Sequence, residues 1–376
     1  MTRVKTATVT WISYKNFGTY LQAYALQQTL KKNGYDNSII SDQCIVDQMI
    51  KDQPKPKDVR TLLSFFLSPI KRLFFTKKIK NREYSDSCYN DFAEKYLRID
   101  YNWKSFEDLD KKYDAFVCGS DQIWAPIVTF NAFYYLGFTS KPKIAYAPSI
   151  GTFYYPEEKV AEVRPYLQKF TALSIREEQG TEIVRKQFGL ECQTVLDPTL
   201  LLDKTEWETL VNQKEKSEGK YILCYLLTYN EVYLNRVKAF AEDKKLPIKI
   251  FITDKRTIDY ADIPLYVGPQ EFITEIKNAE YFFTDSFHGT VFAIHFEKQF
   301  YSFKRFKDDA ANNQNSRIVN LFNKLKITDH FLGEEDLSMI NFSEKIDYTS
   351  VKELLSIEQG KSITYLTNSL STVSYD

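Results

Sequence analysis

Three histidines occur in this chain of 376 residues, and two of them, His288 and His295, fall within one stretch, TDSFHGTVFAIHF at 284–296. An imidazole exchanges protons near neutral pH, so a histidine at a strand-to-helix junction is a candidate for general acid–base work. AEYFFTD reads as a strand, Asp285 or Ser286 as an N-cap, and FHGTVFAIHF as the following helix. His288 then lies in the first turn. The helix dipole there favours anions and disfavours an imidazolium, whereas a bound phosphate or carboxylate would favour one. The competing reading is a hydrogen-bonded structural histidine. His295 falls within the apolar part of the helix and reads as core. The spacing of the two is not that of a helical metal pair, and no metal is expected.

Three further loops hold residues suited to chemistry. In NFG (16–18), Gly18 opens a helix whose first N–H groups could meet an anion; the alternative is a tight turn that needs glycine. The pattern is not GxGxxG, so no dinucleotide is expected. In CGSDQIW (118–124), Ser120 and the preceding glycine permit close backbone approach, Asp121 and Gln122 offer acceptor and donor groups, and Trp124 offers a flat wall for a sugar face. The alternative there is a helix N-cap with Trp124 in the core. In SIREEQG (174–180), Arg176 ends an apolar strand, where a guanidinium suits bidentate binding of carboxylate or phosphate; its structural alternative is an ion pair with Glu177 or Glu178.

The elements that must position these loops follow βαβ grammar. TATVTWIS is β-branched, TYLQAYALQQTLKKNGY is helical, and DNSIISD is the next strand. Ala23, Leu26 and Leu30 share one helix face, Leu21 and Ala25 begin a second stripe that Gln28 interrupts, and Gly34 is the expected stop. Residues 45–110 read as a mostly helical insertion. YDAFVCGS, KIAYAPSIG, FTALSIRE and CQTVLDP then each place a strand before a polar loop, and the alternation resumes at YILCYLL. The expected fold class is α/β, with two Rossmann-like, doubly wound domains at 1–205 and 206–330 and a helical C-terminal tail at 331–376.

Composition narrows the function. Lys plus Arg and Asp plus Glu each total 50, so no basic field argues for nucleic acid. The five scattered cysteines form no CxxC pair and read as buried reduced thiols of a cytosolic enzyme. The start has no signal-peptide core and no run is long enough to span a bilayer, so a cytoplasmic location is expected. SPIKRLFFTKKIKNR at 68–82 carries six basic and no acidic residues. It reads either as a solvated helix or as a peripheral contact with anionic lipid at the inner membrane face.

Taken together, NFGTYLQAYALQQTL, GSDQIW, APSIG, SIREEQG, DPTLLL and DSFHGTVFAI stand in the order and spacing of the polysaccharide pyruvyltransferase family, which the chain resembles over roughly residues 5–325. The resemblance implies a two-domain fold similar to the glycosyltransferase-B type. It implies transfer of the pyruvyl group of phosphoenolpyruvate, with no other cofactor, onto a saccharide or lipid-linked oligosaccharide as a ketal with release of phosphate, in capsule or exopolysaccharide assembly. His288 then corresponds to the family's acid–base histidine, with Asp121 able to share the work. Arg176 corresponds to a donor anchor, and Arg317, within NNQNSRIVNLF, to a second anion site; Lys304, Arg305, Ser286 and Gly289 are further donor-side candidates. Asn16, Gly18, Ser120, Gln122 and Trp124 fall to the acceptor side, in the N-terminal domain. Two other functions share this architecture: a nucleotide-sugar glycosyltransferase and a non-catalytic saccharide-binding protein.

Overall fold

The runs KTATV, AFVC, ILCY and YFFT are almost wholly buried rather than alternating in and out, as strands are when helices cover both sheet faces. The computed structural model describes residues 3–52, 69–212, 219–307, 313–342 and 345–371, without the side chains of 52, 69–80 and 82. Its strands are β1 (Lys5–Val9), β2 (Asp36–Ile40), β3 (Ile99–Asp100), β4 (Ala115–Cys118), β5 (Lys143–Ala145), β6 (Ser174–Ile175), β7 (Gln193–Thr194), β8 (Ile222–Tyr225), β9 (Ile248–Phe251), β10 (Ile263–Leu265), β11 (Tyr281–Thr284), β12 (Gln299–Phe303) and β13 (Phe331–Leu332). One sheet is ordered β3-β2-β1-β4-β5 and the other β10-β9-β8-β11-β12-β13, with β6 and β7 as a small pair. All pairings are parallel, for example Thr8 with Val117 and Phe283 with Cys224. In both large sheets the strand order reverses beside the central strand, between β1 and β4 and between β8 and β11. Ligands of doubly wound sheets bind beyond the strand ends at such points. The α/β class and the two Rossmann-like sheets are as expected.

The helix α1 (Phe17–Lys32) explains its own imperfect stripe. Ala23, Leu26 and Leu30 are fully buried, but so are Leu21 and Ala25. The helix has no solvent face for most of its length because it lies between the first sheet and the second half of the chain. Phe17 stacks on Phe272 at 4.4 Å between ring centroids, and Tyr24 packs on Trp207, which in turn meets Phe292 edge-on at 4.8 Å. An apolar seam therefore joins the halves.

The helix Tyr348–Ser371 crosses back over that seam. Ser362 Oγ accepts from Leu196 N–H at 2.9 Å, and Tyr365 donates to the Ala145 carbonyl at 2.9 Å. The segment before it is not helical throughout, since β13 extends the second sheet. The short edge strands β3, β10 and β13 were not foreseen. β3 and β13 offer only two residues of pattern each, and Pro264 interrupts β10, as an edge position tolerates.

Cys118, Cys192 and Cys224 are buried as expected, but Cys44 is exposed and Cys88 only half-buried. No helix among the described residues is long and apolar enough to cross a membrane. The side chains of the basic 68–82 segment lie outside the described residues, apart from Asn81.

Candidate active site

Ser286, not Asp285, caps the His288 helix (Phe287–His295): its hydroxyl accepts from Gly289 N–H at 3.2 Å. This fixes His288 at the second helical position, at the end of β11. Its Nε2 lies 3.7 Å from Asp197 Oδ2, an ion-pair distance longer than a hydrogen bond. Its Nδ1 faces Gly18: a Cβ built on Gly18 would sit 1.9 Å from that nitrogen. The glycine of NFG is thus required because the imidazole lies directly against its Cα.

Behind the imidazole is a buried ionic cluster. Asp197 Oδ2 accepts from Arg176 Nη1 at 2.6 Å and from Ser120 Oγ at 3.3 Å, while Oδ1 accepts from Thr199 N–H at 3.0 Å and Oγ1 at 2.6 Å. Burial alone would push the Asp197 carboxyl up, but His288, Arg176 and Thr199 together hold it well below the usual carboxylate range. Asp121 and Glu177 each stand 3.9 Å from the same guanidinium. Glu177 Oε1 accepts from Ile150 and Gly151 N–H at 2.7 and 2.8 Å, which ties in the APSIG loop.

This placement corrects the expectation for Arg176. Its side chain is 1% exposed, its hydrogen-bond partner is Asp197, and it does not line the cleft. Of the two structural partners anticipated, Glu177 is near but Glu178 instead pairs with Lys324.

The cleft itself, of about 560 Å³, opens between the C-terminal ends of the two sheets. His288, Ser286, Arg305 and Arg317 reach it from the second half, and Asn16, Asp121 and Gln122 from the first. Arg317 hydrogen-bonds Gln314 Oε1 at 3.0 Å, and Gln122 Nε2 donates to the same oxygen at 2.8 Å, a bridge across the halves. Arg317 has no carboxylate partner among the described residues. Burial, then repulsion from Arg176, pushes its guanidinium down to about 9, so it remains a cation at neutral pH but an under-compensated one. Arg305 donates to Thr228 Oγ1 at 2.8 Å and likewise has no carboxylate partner among the described residues.

Other expected site residues are elsewhere. Trp124 is not a wall of the cleft. It is 2% exposed, stacks on Tyr135 at 5.4 Å and donates its indole N–H to the Tyr134 carbonyl, inside the core cluster that also holds Phe133. Ser120 is buried on Asp197 and the Ala147 carbonyl. Gly289 lies against Thr284, its N–H taken by the cap, and Lys304 pairs with Glu335 away from the cleft. His295 is core: its Nε2 meets the Thr199 carbonyl at 2.8 Å, and burial pushes it down to about 4.

Two acidic residues escaped the sequence reading. Asp197 ends the strand-like run CQTVLDP; its signal is an acceptor followed by proline after an apolar run, which is the pattern of a capping residue. Asp285 lines the cleft and accepts from Leu227 and Thr228 N–H at 2.6 and 3.1 Å. Burial pushes its carboxyl from 3.8 up to about 6, against those N–H groups and Arg305. The fold therefore favours the protonated form, and the stability this contributes is full below about pH 4 and lost as pH rises through about 6. Over that window the stability of wild type minus that of Asp285→Asn should fall by roughly 3 kcal/mol in urea denaturation. A difference that is flat with pH would contradict this.

A family model described as polysaccharide pyruvyl transferase matches residues 16–305, somewhat less than the span of the resemblance. No curated protein matches the chain. Among solved structures, a UDP-GlcNAc 2-epimerase from Neisseria meningitidis bound to UDP-GlcNAc is 11% identical, with 98% of this chain and 100% of that one covered and a TM-score of 0.49. An E. coli heptosyltransferase is 12% identical over 94% and 99%, with a TM-score of 0.39. A UDP-glucosyltransferase from Polygonum tinctorium is 8% identical over 99% of both chains, with a TM-score of 0.45.

Proposed function

Since the chain belongs to the polysaccharide pyruvyl transferase family, we propose that it moves the pyruvyl group of phosphoenolpyruvate onto a hydroxyl pair of a saccharide, in the assembly of a surface polysaccharide. The observation that carries this reading is the pairing, in one cleft, of a histidine backed by a buried carboxylate with two guanidiniums that lack carboxylate partners among the described residues. A donor bearing a carboxylate and a phosphate close together needs such cations, and the N-terminus of the His288 helix adds its dipole.

The chemistry is balanced as follows. The methylene carbon of the donor takes a proton and becomes a methyl group. The first acceptor oxygen bonds to the neighbouring carbon and gives up its proton. The second acceptor oxygen bonds to the same carbon as the bond to the phosphate oxygen breaks, and its proton leaves with the phosphate. In this reading His288 passes the proton to the methylene, with Asp197 as partner for its imidazolium. Asp121, held by Thr19 Oγ1 at 2.7 Å and Gln122 N–H at 2.9 Å, receives the acceptor's proton. Arg317 and Arg305 hold the anionic groups. The cytoplasmic face of a membrane is where a lipid-linked acceptor would be met.

Thermal and urea stability with added phosphoenolpyruvate tests the donor. At a hundred times its dissociation constant it should stabilise the protein by about 2.7 kcal/mol, and Arg317→Ala should abolish most of that gain. Arg176, which does not reach the cleft, would not report on the donor in this way. Stabilisation by a nucleotide sugar, with none by phosphoenolpyruvate, would overturn the reading in favour of glycosyl transfer.

A further inference from the structure

The cleft has two unlike walls. Arg305 and Arg317 stand on the second half; the loop after β1 supplies Trp11, Tyr14, Asn16 and Lys15, the last paired with Asp86, on the first. The cavity is of the size that encloses drug-like ligands, far more than a three-carbon donor fills. Trp11 and Tyr14 meet edge to face, with ring centroids 6.2 Å apart and planes at 69°. Tyr14 is 62% exposed, unusual for a large aromatic beside a buried site, while Trp11 is half-buried against the core of the first domain. Neither the indole N–H nor the phenol O–H has a hydrogen-bond partner among the described residues. Together they offer an apolar face and two free polar edges, the chemistry that a pyranose presents in reverse.

The loop that carries them is built rather than loose. Asp42, fully buried at the end of β2, accepts from Ser13 N–H at 2.9 Å and Ser13 Oγ at 2.6 Å through Oδ1, and from Tyr134 O–H at 2.8 Å and Ile12 N–H at 3.5 Å through Oδ2. A buried carboxylate so engaged fixes the two residues between the aromatic pair. Pre-organisation of this kind lowers the ordering cost of binding.

We propose that Trp11 and Tyr14 form the acceptor platform: a pyranose ring lies with a C–H face on the aromatic pair and its hydroxyls toward the indole N–H and the phenol O–H. This deepens the pyruvyl-transfer reading, on which it depends only for calling the bound sugar an acceptor. It also supplies the aromatic wall that Trp124, inside the core, does not.

Saturation-transfer NMR with methyl glycosides of glucose, galactose, mannose and N-acetylglucosamine, with and without phosphoenolpyruvate, tests it. Wild type should transfer saturation to the ring protons of at least one glycoside. Trp11→Ala and Tyr14→Ala should each weaken that binding about tenfold or more, as removal of an aromatic anchor does, while Trp11→Phe and Tyr14→Phe retain most of it. Stabilisation by phosphoenolpyruvate should be unchanged in all four, since Arg305 and Arg317 are on the opposite wall. Full glycoside binding in the alanine variants, no transfer to any glycoside in wild type, or competition for the platform by uridine alone would each overturn the proposal. Glycoside binding lost in the variants, in a protein that phosphoenolpyruvate does not stabilise, would keep the platform and reject the donor instead.

Discussion

Asp197→Ala should cost the folded protein about 3–5 kcal/mol, the range for breaking a buried ion pair by removing one partner. The geometry gives the reason. Arg176 is fully buried, and its Nε and Nη2 already lack hydrogen bonds; Asp197 supplies the one its Nη1 makes. Removing that carboxylate leaves a buried cation facing Asp121 and Glu177 at 3.9 Å each, too far for hydrogen bonds. It also uncaps Thr199 and strips His288 of its counter-charge. Asp197→Asn should fall between, because the amide keeps one acceptor for Thr199 but meets Arg176 with no charge. The cluster is coupled, so Arg176→Met combined with Asp197→Leu should cost less than the sum of the two single changes, by about 0.5–3 kcal/mol. Urea denaturation at pH 7 is the measurement. A loss below about 1 kcal/mol for Asp197→Ala would mean that water or another group already shields Arg176, and the cluster would not be the support of the site.

What the sequence disclosed, and what it withheld, divides along a physical line. The βαβ alternation and the loops beyond strand ends follow from local pattern, and those loops do meet: NFG covers His288, GSDQIW supplies Asp121, APSIG is held by Glu177, and DPTLLL delivers Asp197. Which way a side chain points within a loop is set by tertiary packing, which local pattern does not carry. Arg176 and Trp124 carry the chemistry of ligand binding in their side chains, yet both turn inward. The guanidinium finds a carboxylate in the next motif, 21 residues on, and the indole finds a carbonyl and a ring to stack on. Conversely, Tyr14 drew no notice as one tyrosine among 26, and only its exposure at the cleft mouth marks it. Asp285 and Ser286 both fit a cap by type; Ser286 takes that role and leaves the Asp285 carboxylate to accept from Leu227 and Thr228 just beyond β8.

His288→Gln is expected to lower turnover by ~10²–10⁴-fold, the contribution of a positioned acid–base group. That corresponds to about 3–5 kcal/mol in the barrier. The assay is phosphate release from phosphoenolpyruvate with a glycoside that binds wild type. KM for the donor should change little, because Arg317 and Arg305, not the imidazole, hold the anionic groups in this reading, so the loss belongs in kcat. Glutamine fills most of the imidazole's space beside Gly18 and leaves the Arg176–Asp197 pair intact, so the unfolding free energy should move far less than for Asp197→Ala. The pH–rate profile gives a second readout. The limb near 6 that the Asp285 carboxyl contributes should persist in His288→Gln. An unchanged rate and profile would remove His288 from the chemistry. Asp285, which lines the same cleft and is kept partly protonated by its burial, would then be the next group to vary.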